Sequence, residues 1–155
     1  ELTLRLGERS ASFQVGDTRL STQLIEGAFP DYQKLIPATQ PNRVVMQRDA
    51  LIDAVKRMKL MAREPATPVR LHFQTEAVQL EAVTLDVGTA SGEIDAKYEG
   101  TEMTVAFNPD YLLEGLEVTP GDEVSIETVD ALKPALLRST ESTDYLYLLM
   151  PVRVS

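Results

Sequence analysis

Apolar and polar residues alternate along much of the chain, and a period of two is typical of strands that bury one face. The first alternating stretches are residues 2–6, 11–15 and 18–25, with a turn signal at Gly16 and Asp17. They predict a meander of three short strands. A meander of this size is not stable alone, so we expect another element to cover its apolar face.

A proline-rich linker, residues 26–41, is predicted to follow the meander. A second unit then begins with a strand at 43–46 and a helix at 48–62. Four residues of that helix recur at spacings of four, three and four and predict one buried stripe: Leu51, Val55, Met58 and Ala62. Alternating strands are predicted next, at 69–73, 78–85 and 92–98.

The same order of elements then recurs. Asn108 is suited to the N-cap of a second, shorter helix and Pro109 to its first position. The predicted apolar face of this helix consists of Tyr111, Leu112 and Leu116. Strands are predicted at 103–107, 123–128, 132–138 and 145–150. Two copies of strand–helix–three strands, 43–99 and 103–152, indicate an α+β domain with two helices on one face of a continuous antiparallel sheet.

The last predicted strand, residues 145–150, is apolar at both odd and even positions, and Pro151 ends it. One face of this strand is expected to pack into a core, which leaves the other face in need of a partner. If the linker lies beside this tail, the two form an apolar groove with a few charges on its rim. The pattern therefore predicts a docking site and not a catalytic one.

Composition narrows the class of protein. The chain has 155 residues, a formal net charge of −9 and no cysteine. Its length fits one domain, or one domain with part of another. The charge disfavours tight nucleic-acid binding, and the lack of cysteine excludes disulfides and thiolate metal sites. No apolar run reaches the roughly 18 residues of a membrane span. We expect no metal and no cofactor.

Three segments carry a resemblance to a known family: residues 26–32 (EGAFPDY), 106–112 (AFNPDYL) and 149–154 (LMPVRV). Together with the repeat, they resemble the bacterial DNA sliding clamps, the beta subunits of the DNA polymerase III holoenzyme. Residues 1–25 resemble the closing strands of the family's middle domain, and 42–155 resemble its third domain. The chain is then expected to lack the first domain and most of the second.

The resemblance implies a non-catalytic processivity factor of the bacterial cytoplasm, associated with the nucleoid. In its full length, such a factor is expected to form a homodimeric ring around duplex DNA, which this chain could not close alone, and to bind short peptides. Those peptides belong to the polymerase III alpha subunit, clamp-loader subunits, other polymerases and repair proteins. The matching positions of the peptide site are Pro30, Lys34, Leu35, Leu148, Leu149, Met150, Pro151, Val152, Arg153 and Val154. Pro134 departs from the family pattern, which often has a small polar residue there.

The resemblance also reconciles the acidic charge with DNA. A ring that holds DNA topologically needs only a locally positive lining, and the implied DNA-facing residues are Arg48, Lys56, Lys59 and Arg63. Leu60 and Met61 match the apolar contact with the next subunit. Glu93 and Asp95 could pair with a basic surface of that subunit.

The residues alone leave other readings open. The basic helix face could be a solvated surface, and Leu148 and Met150 could be core. The chain could be a free-standing peptide-binding module without a DNA role. A small cytoplasmic hydrolase using His72 with a carboxylate is a further alternative, although a lone strand histidine is more often a surface residue. Asp49 and Asp53 are expected to be charges of the helix start.

Overall fold

The computed structural model describes residues 1–29, 31–61, 67–84 and 88–154. The chain divides into two compact units, residues 1–32 and 33–155, with a 3-10 turn, Tyr32–Leu35, at the boundary. Within the described ranges, the first unit has strands β1 (Thr3–Leu6), β2 (Ser10–Val15) and β3 (Thr18–Gln23). The described part of the second unit has helices α1 (Arg48–Met61) and α2 (Pro109–Val118) and strands β4 (Asn42–Gln47), β5 (Val69–Phe73), β6 (Ala77–Thr84), β7 (Gly88–Glu99), β8 (Met103–Phe107), β9 (Glu123–Thr128), β10 (Ala135–Ser139) and β11 (Leu146–Leu149).

The first unit is the predicted meander. Strand β2 lies between β1 and β3, and its Phe13 stands opposite Leu4 on one side and Leu20 on the other. This row belongs to the apolar face of the sheet, because side chains alternate between faces along each strand. Leu4 is 50% exposed and Leu20 63% exposed, so within this unit the face remains uncovered.

The second unit is one antiparallel sheet, with strand order β11–β10–β9–β4–β7–β6–β5–β8. Strand β4, which opens the first copy of the repeat, lies between β9 and β7. Strand β8, which opens the second copy, pairs with β5, and on its other side the Ala106 carbonyl accepts the N–H of Val152 at 2.8 Å. The segment after β11 therefore meets β8 as β7 meets β4, which confirms the predicted repeat.

Both helices pack into the same core against the sheet. Helix α1 buries Leu51, Ala54, Val55 and Met58, so the predicted stripe is confirmed as far as Met58, and Ala62 lies outside the described residues. Helix α2 buries its own apolar residues against the same cluster: Leu112, Leu113 and Leu116.

The start of α2 follows the prediction, but its apolar face differs by one residue. The Asn108 side-chain oxygen accepts the N–H of Asp110 at 2.8 Å, as an N-cap does. Tyr111, however, is 55% exposed, whereas Leu113 is buried. Successive residues of a helix are about 100° apart, so a core contact centred on Leu112 and Leu116 includes Leu113 and turns Tyr111 outwards. The assignment of Tyr111 to the apolar face is wrong.

Two strand boundaries also differ from the prediction. Strand β7 begins at Gly88 and not at residue 92, because its ladder with β6 continues to the pair Thr84–Gly88. Strand β10 begins at Ala135 and not at residue 132. Upstream of it, the Asp130 carboxylate accepts the backbone N–H groups of residues 132 and 133 at 2.8 and 3.0 Å. This local turn occupies the donors that an extended ladder would use.

A buried amide connects the first strand of the repeat to two turns. Asn42 is 5% exposed, and its Nδ2 donates to the carbonyls of Thr128 and Val129 at 3.2 and 2.9 Å. Its Oδ1 accepts the N–H of Thr101 at 3.0 Å and the hydroxyl of Tyr98 at 3.2 Å. Burial of this hydroxyl raises the pKa of Tyr98 above 10.0, and the nearby carboxylate of residue 102 raises it further.

Candidate functional site: the C-terminal tail and the two-helix surface

The last strand divides its side chains between the core and the solvent. Leu149 stands opposite Ala135 on β10 and is 3% exposed within the core cluster. Leu148 is half-buried, and Met150, just past the strand, is 57% exposed. The expected division of this strand into a core side and an open side is therefore present, with Leu149 on the core side.

Residues 151–154 have no regular structure, but they are attached to β8. The N–H of Val152 donates to the Ala106 carbonyl, and Pro151 and Val152 are half-buried. Arg153 and Val154 are exposed. The tail therefore presents Arg153 and Val154 to solvent, while one backbone hydrogen bond holds it against the sheet.

Two linker residues of the predicted groove, Lys34 and Leu35, lie in the 3-10 turn. Lys34 is exposed and Leu35 is 46% exposed, and the N–H of Ile36 donates to the Gln33 carbonyl at 3.4 Å. Pro30 lies outside the described residues. Leu35 and Met150 are both apolar and accessible in the same compact unit. That they line one groove remains a prediction.

The tail strand is held to α2 at a glycine. The Tyr145 hydroxyl donates to the Gly115 carbonyl at 2.7 Å, and a Cβ built on Gly115 would lie 2.7 Å from the ring of Tyr147. A glycine is therefore needed here for the ring to lie against the helix backbone. Burial raises the pKa of Tyr147 above 10.0, and the negative charge of Glu114 adds to that rise.

The predicted DNA-facing residues of α1 contact α2 or the residue that follows it. Lys56 Nζ lies 3.0 Å from Glu117 Oε1, and Lys59 forms an ion pair with Asp110. These pairs show that the two helices run antiparallel.

Arg48, at the start of α1, donates from Nη1 to the Thr119 carbonyl at 2.8 Å and also pairs with Asp49 at 3.0 Å. The arginine thus stabilises the C-terminal end of α2, where cations are favoured. Asp49 is a partner of this arginine at the helix start, as expected of a charge there. Arg63 lies outside the described residues.

The end of α1 lies beside an open strand edge. Leu60 is 79% exposed and Met61 is half-buried, with its carbonyl accepting the Thr84 hydroxyl at 2.9 Å. Strand β7 pairs with β6 along residues 88–95, but in the described pairings β4 covers its other side only at residues 96–99. Sequence reasoning missed this edge because the first residues of β7 lack an apolar alternation.

His72 lies on a polar face of the sheet, where its ring contacts a hydroxyl. Its Nδ1 is 2.9 Å from the Thr104 hydroxyl, in a shallow groove of about 560 Å³ that also contains Arg70, Glu81 and Glu93. In the part of the chain that the structure describes, the contact of this imidazole is thus a hydroxyl. The hydrolase alternative requires a histidine oriented by a carboxylate, whereas the contact described for Nδ1 of His72 is the Thr104 hydroxyl.

The described residues contain no helix that is long and apolar enough to cross a membrane.

Comparisons with known proteins agree over most of the chain. Residues 33–153 match the family model for the C-terminal domain of the DNA polymerase III beta subunit. The beta sliding clamp of Streptomyces coelicolor is 37% identical over 155 residues, covering 96% of this chain and 41% of the relative. The beta sliding clamp of Pseudomonas putida is 29% identical over 153 residues, covering 99% and 42%. The chain therefore spans about two fifths of the length of these curated relatives.

Solved structures give the same result. A sliding clamp (DNA polymerase III subunit beta) from Bartonella birtlesii, bound to griselimycin, superimposes with a TM-score of 0.88 and 30% identity, covering 99% of this chain and 41% of that one. The DNA polymerase III beta subunit of Thermotoga maritima superimposes with a TM-score of 0.84 and 27% identity, covering 99% and 42%.

Proposed function

Since the chain belongs to the DNA polymerase III beta subunit family, we propose that it is part of a bacterial sliding clamp, a ring that encircles duplex DNA and keeps the replicative polymerase on it. The observation that carries this proposal is the agreement of sequence and fold along 96% or more of the chain with proteins named as sliding clamps. The second unit is then the clamp's third domain. The first unit is the end of its middle domain, and the uncovered apolar face of β1–β3 supports this assignment.

Partner peptides dock on the tail and linker in this proposal. The exposed Met150 and Val154 offer apolar contacts, and methionine adapts to varied partner side chains. Lys34 and Arg153 attract acidic peptides without selecting one sequence. The partners are the polymerase III alpha subunit, clamp-loader subunits, other polymerases and repair proteins.

Ring closure uses the end of α1 and the open edge of β7. An unpaired strand edge can accept a strand from a second chain, and Leu60 supplies exposed apolar surface close by. In the whole protein this contact gives the homodimer. Glu93 and Asp95 are exposed on β7 and suit a basic facing surface.

The duplex passes through the ring without sequence-specific contact, so the charge of −9 does not conflict with the role. The protein has no catalytic step of its own, and its place is the bacterial cytoplasm, at the nucleoid. The comparisons favour this function over a peptide-binding module without a DNA role, because the relatives that match 96% or more of the chain are named as sliding clamps.

The experiment that tests the docking site is titration of a fluorescently labelled peptide of the glutamine–leucine–phenylalanine type, followed by anisotropy. The unmodified chain should bind saturably, and a chain that ends at Met150 should not. Removal of residues 151–155 breaks the backbone hydrogen bond to β8 but leaves Leu149 in the core, so circular dichroism should still report a folded chain.

A matched pair of substitutions separates the site from general surface effects. Met150→Glu should weaken peptide binding, whereas Val83→Glu, at a partly exposed valine of β6, should not. Full affinity after deletion of the tail would contradict the docking site. A lack of binding by the unmodified chain would contradict docking by linker and tail alone.

A further inference from the structure

The two-helix surface is close to neutral despite its lysines. Helix α1 carries four basic and two acidic residues, whereas α2 carries three acidic residues and no basic one. Together the helices have one more acidic than basic side chain. The surface expected to line the DNA channel is therefore not the positive surface that the basic residues of α1 alone suggest.

The charges are also matched in space. Lys56 pairs with Glu117 and Lys59 with Asp110, and each of these four side chains is about half exposed, between 43% and 53%. Solvent-exposed ion pairs are weak, so a phosphate group can compete for the lysine. The carboxylate that the phosphate displaces stays nearby and repels it.

We propose that Asp110 and Glu117 limit the affinity of this surface for duplex DNA by occupying Lys56 and Lys59. The inference rests on the proposed function, since it takes the helices to face the duplex. When a lysine leaves its carboxylate for a phosphate, the lysine attracts the phosphate and the released carboxylate repels it. The surface can therefore lie close to DNA without holding it at a fixed phosphate, which suits a ring that moves along the duplex.

The test is the salt dependence of DNA binding by the full chain and by its Asp110→Asn/Glu117→Gln variant. Both substitutions keep the shape of the side chain and remove its charge. A labelled 20-base-pair duplex is titrated by anisotropy across NaCl concentrations from 20 to 200 mM. If both lysines then reach phosphates, the slope of log K against log salt steepens by about 1.8, because each contact contributes roughly 0.9. The variant should thus lose about tenfold more affinity than the unmodified chain between 50 and 200 mM salt.

Two controls separate the effect of breaking the lysine–carboxylate ion pairs from the effect of removing acidic charge in general. Asp53→Asn/Glu114→Gln removes the same number of acidic charges from the same helices but leaves both ion pairs intact. Its slope should match that of the unmodified chain. Adding Lys56→Gln/Lys59→Gln to the first variant should abolish the gain in both affinity and slope.

Three results would overturn the inference. The salt slope of Asp110→Asn/Glu117→Gln could be unchanged, the slope of Asp53→Asn/Glu114→Gln could change by the same amount, or the gain in affinity could persist after both lysines are replaced. A change confined to the first variant supports it. Peptide binding by the tail should be the same in all these chains. Failure of this inference would therefore leave the clamp assignment standing, and failure of the peptide titration would separately contradict docking by linker and tail alone.

Discussion

Replacing Asn42 with alanine should destabilise the second unit by about 3 kcal/mol. Its amide makes three unshared hydrogen bonds, each contributing roughly 1 kcal/mol net, and accepts a fourth from Tyr98, whose single hydroxyl proton is shared with the Thr101 carbonyl. Two donated bonds reach the Thr128 and Val129 carbonyls, and two accepted bonds come from Thr101 and Tyr98. Water can reach the exposed Thr101 after the substitution, so the expected loss is below the full sum.

The assay is urea unfolding followed by circular dichroism, with the slope of the transition compared between variants. For a chain of this size, 3 kcal/mol corresponds to a fall in Tm of roughly 6–12 °C. Gln79→Ala is the matched control, because it removes an exposed amide that makes one hydrogen bond to a glutamate. Its expected cost is below about 0.5 kcal/mol.

A loss under about 1 kcal/mol for Asn42→Ala, with an unchanged slope, would refute this reasoning, since it is less than the cost of one unsatisfied buried group. It would mean that the amide does not connect the two turns in solution. Asn42→Asp offers a second check. A carboxylate facing two carbonyls is disfavoured, so this variant should be less destabilised at pH 4 than at pH 7.

Further predictions concern the helix contact, high pH and the end of α1. Gly115→Ala should lower the free energy of unfolding measured in urea. A Cβ at 2.7 Å from the Tyr147 ring costs about 1–3 kcal/mol, which outweighs the gain in helix propensity of roughly 1 kcal/mol. A more stable variant would contradict the contact. Burial raises the pKa of Tyr98 and of Tyr147, so the folded chain keeps protons that the unfolded chain releases. Stability should be intact below pH 10 and decline as the pH rises above it, less steeply in Tyr98→Phe; an identical decline would argue against burial as the cause. Leu60→Asp/Met61→Asp should lower stability by less than about 1 kcal/mol, because Leu60 is 79% exposed, and loss of the fold would show these residues to be core.

The periodic elements could be predicted from the sequence because their signals are local. The stripe of α1 through Leu51, Val55 and Met58 reflects a helix with one buried side. Asn108 precedes α2 because the backbone N–H groups of the first helical turn need a side-chain acceptor. Strand β7 was predicted too short because Gly88 and Thr89 carry no apolar alternation. Its pairing with β6 decides its length, and that pairing is not visible in local sequence.

The site was predictable to a different degree. The composition of the tail indicated a strand with two apolar sides, and the structure places Leu149 in the core and Met150 at the surface. The partners of Lys56 and Lys59 lie more than 50 positions away along the chain. Helical periodicity identifies which residues lie outside the buried stripe. It does not reveal which charges of another helix they meet.

The hydrogen bond from Val152 to the Ala106 carbonyl involves the backbone of the tail and not its side chains. Attachment to the sheet uses a backbone N–H, which every residue except proline supplies. The proposed recognition of a partner would use the side chains, which this backbone hydrogen bond does not involve. Mutation can therefore change partner preference in this tail at little risk to the fold. Proline at position 152 is the exception, because it would lose the attachment whatever its effect on recognition.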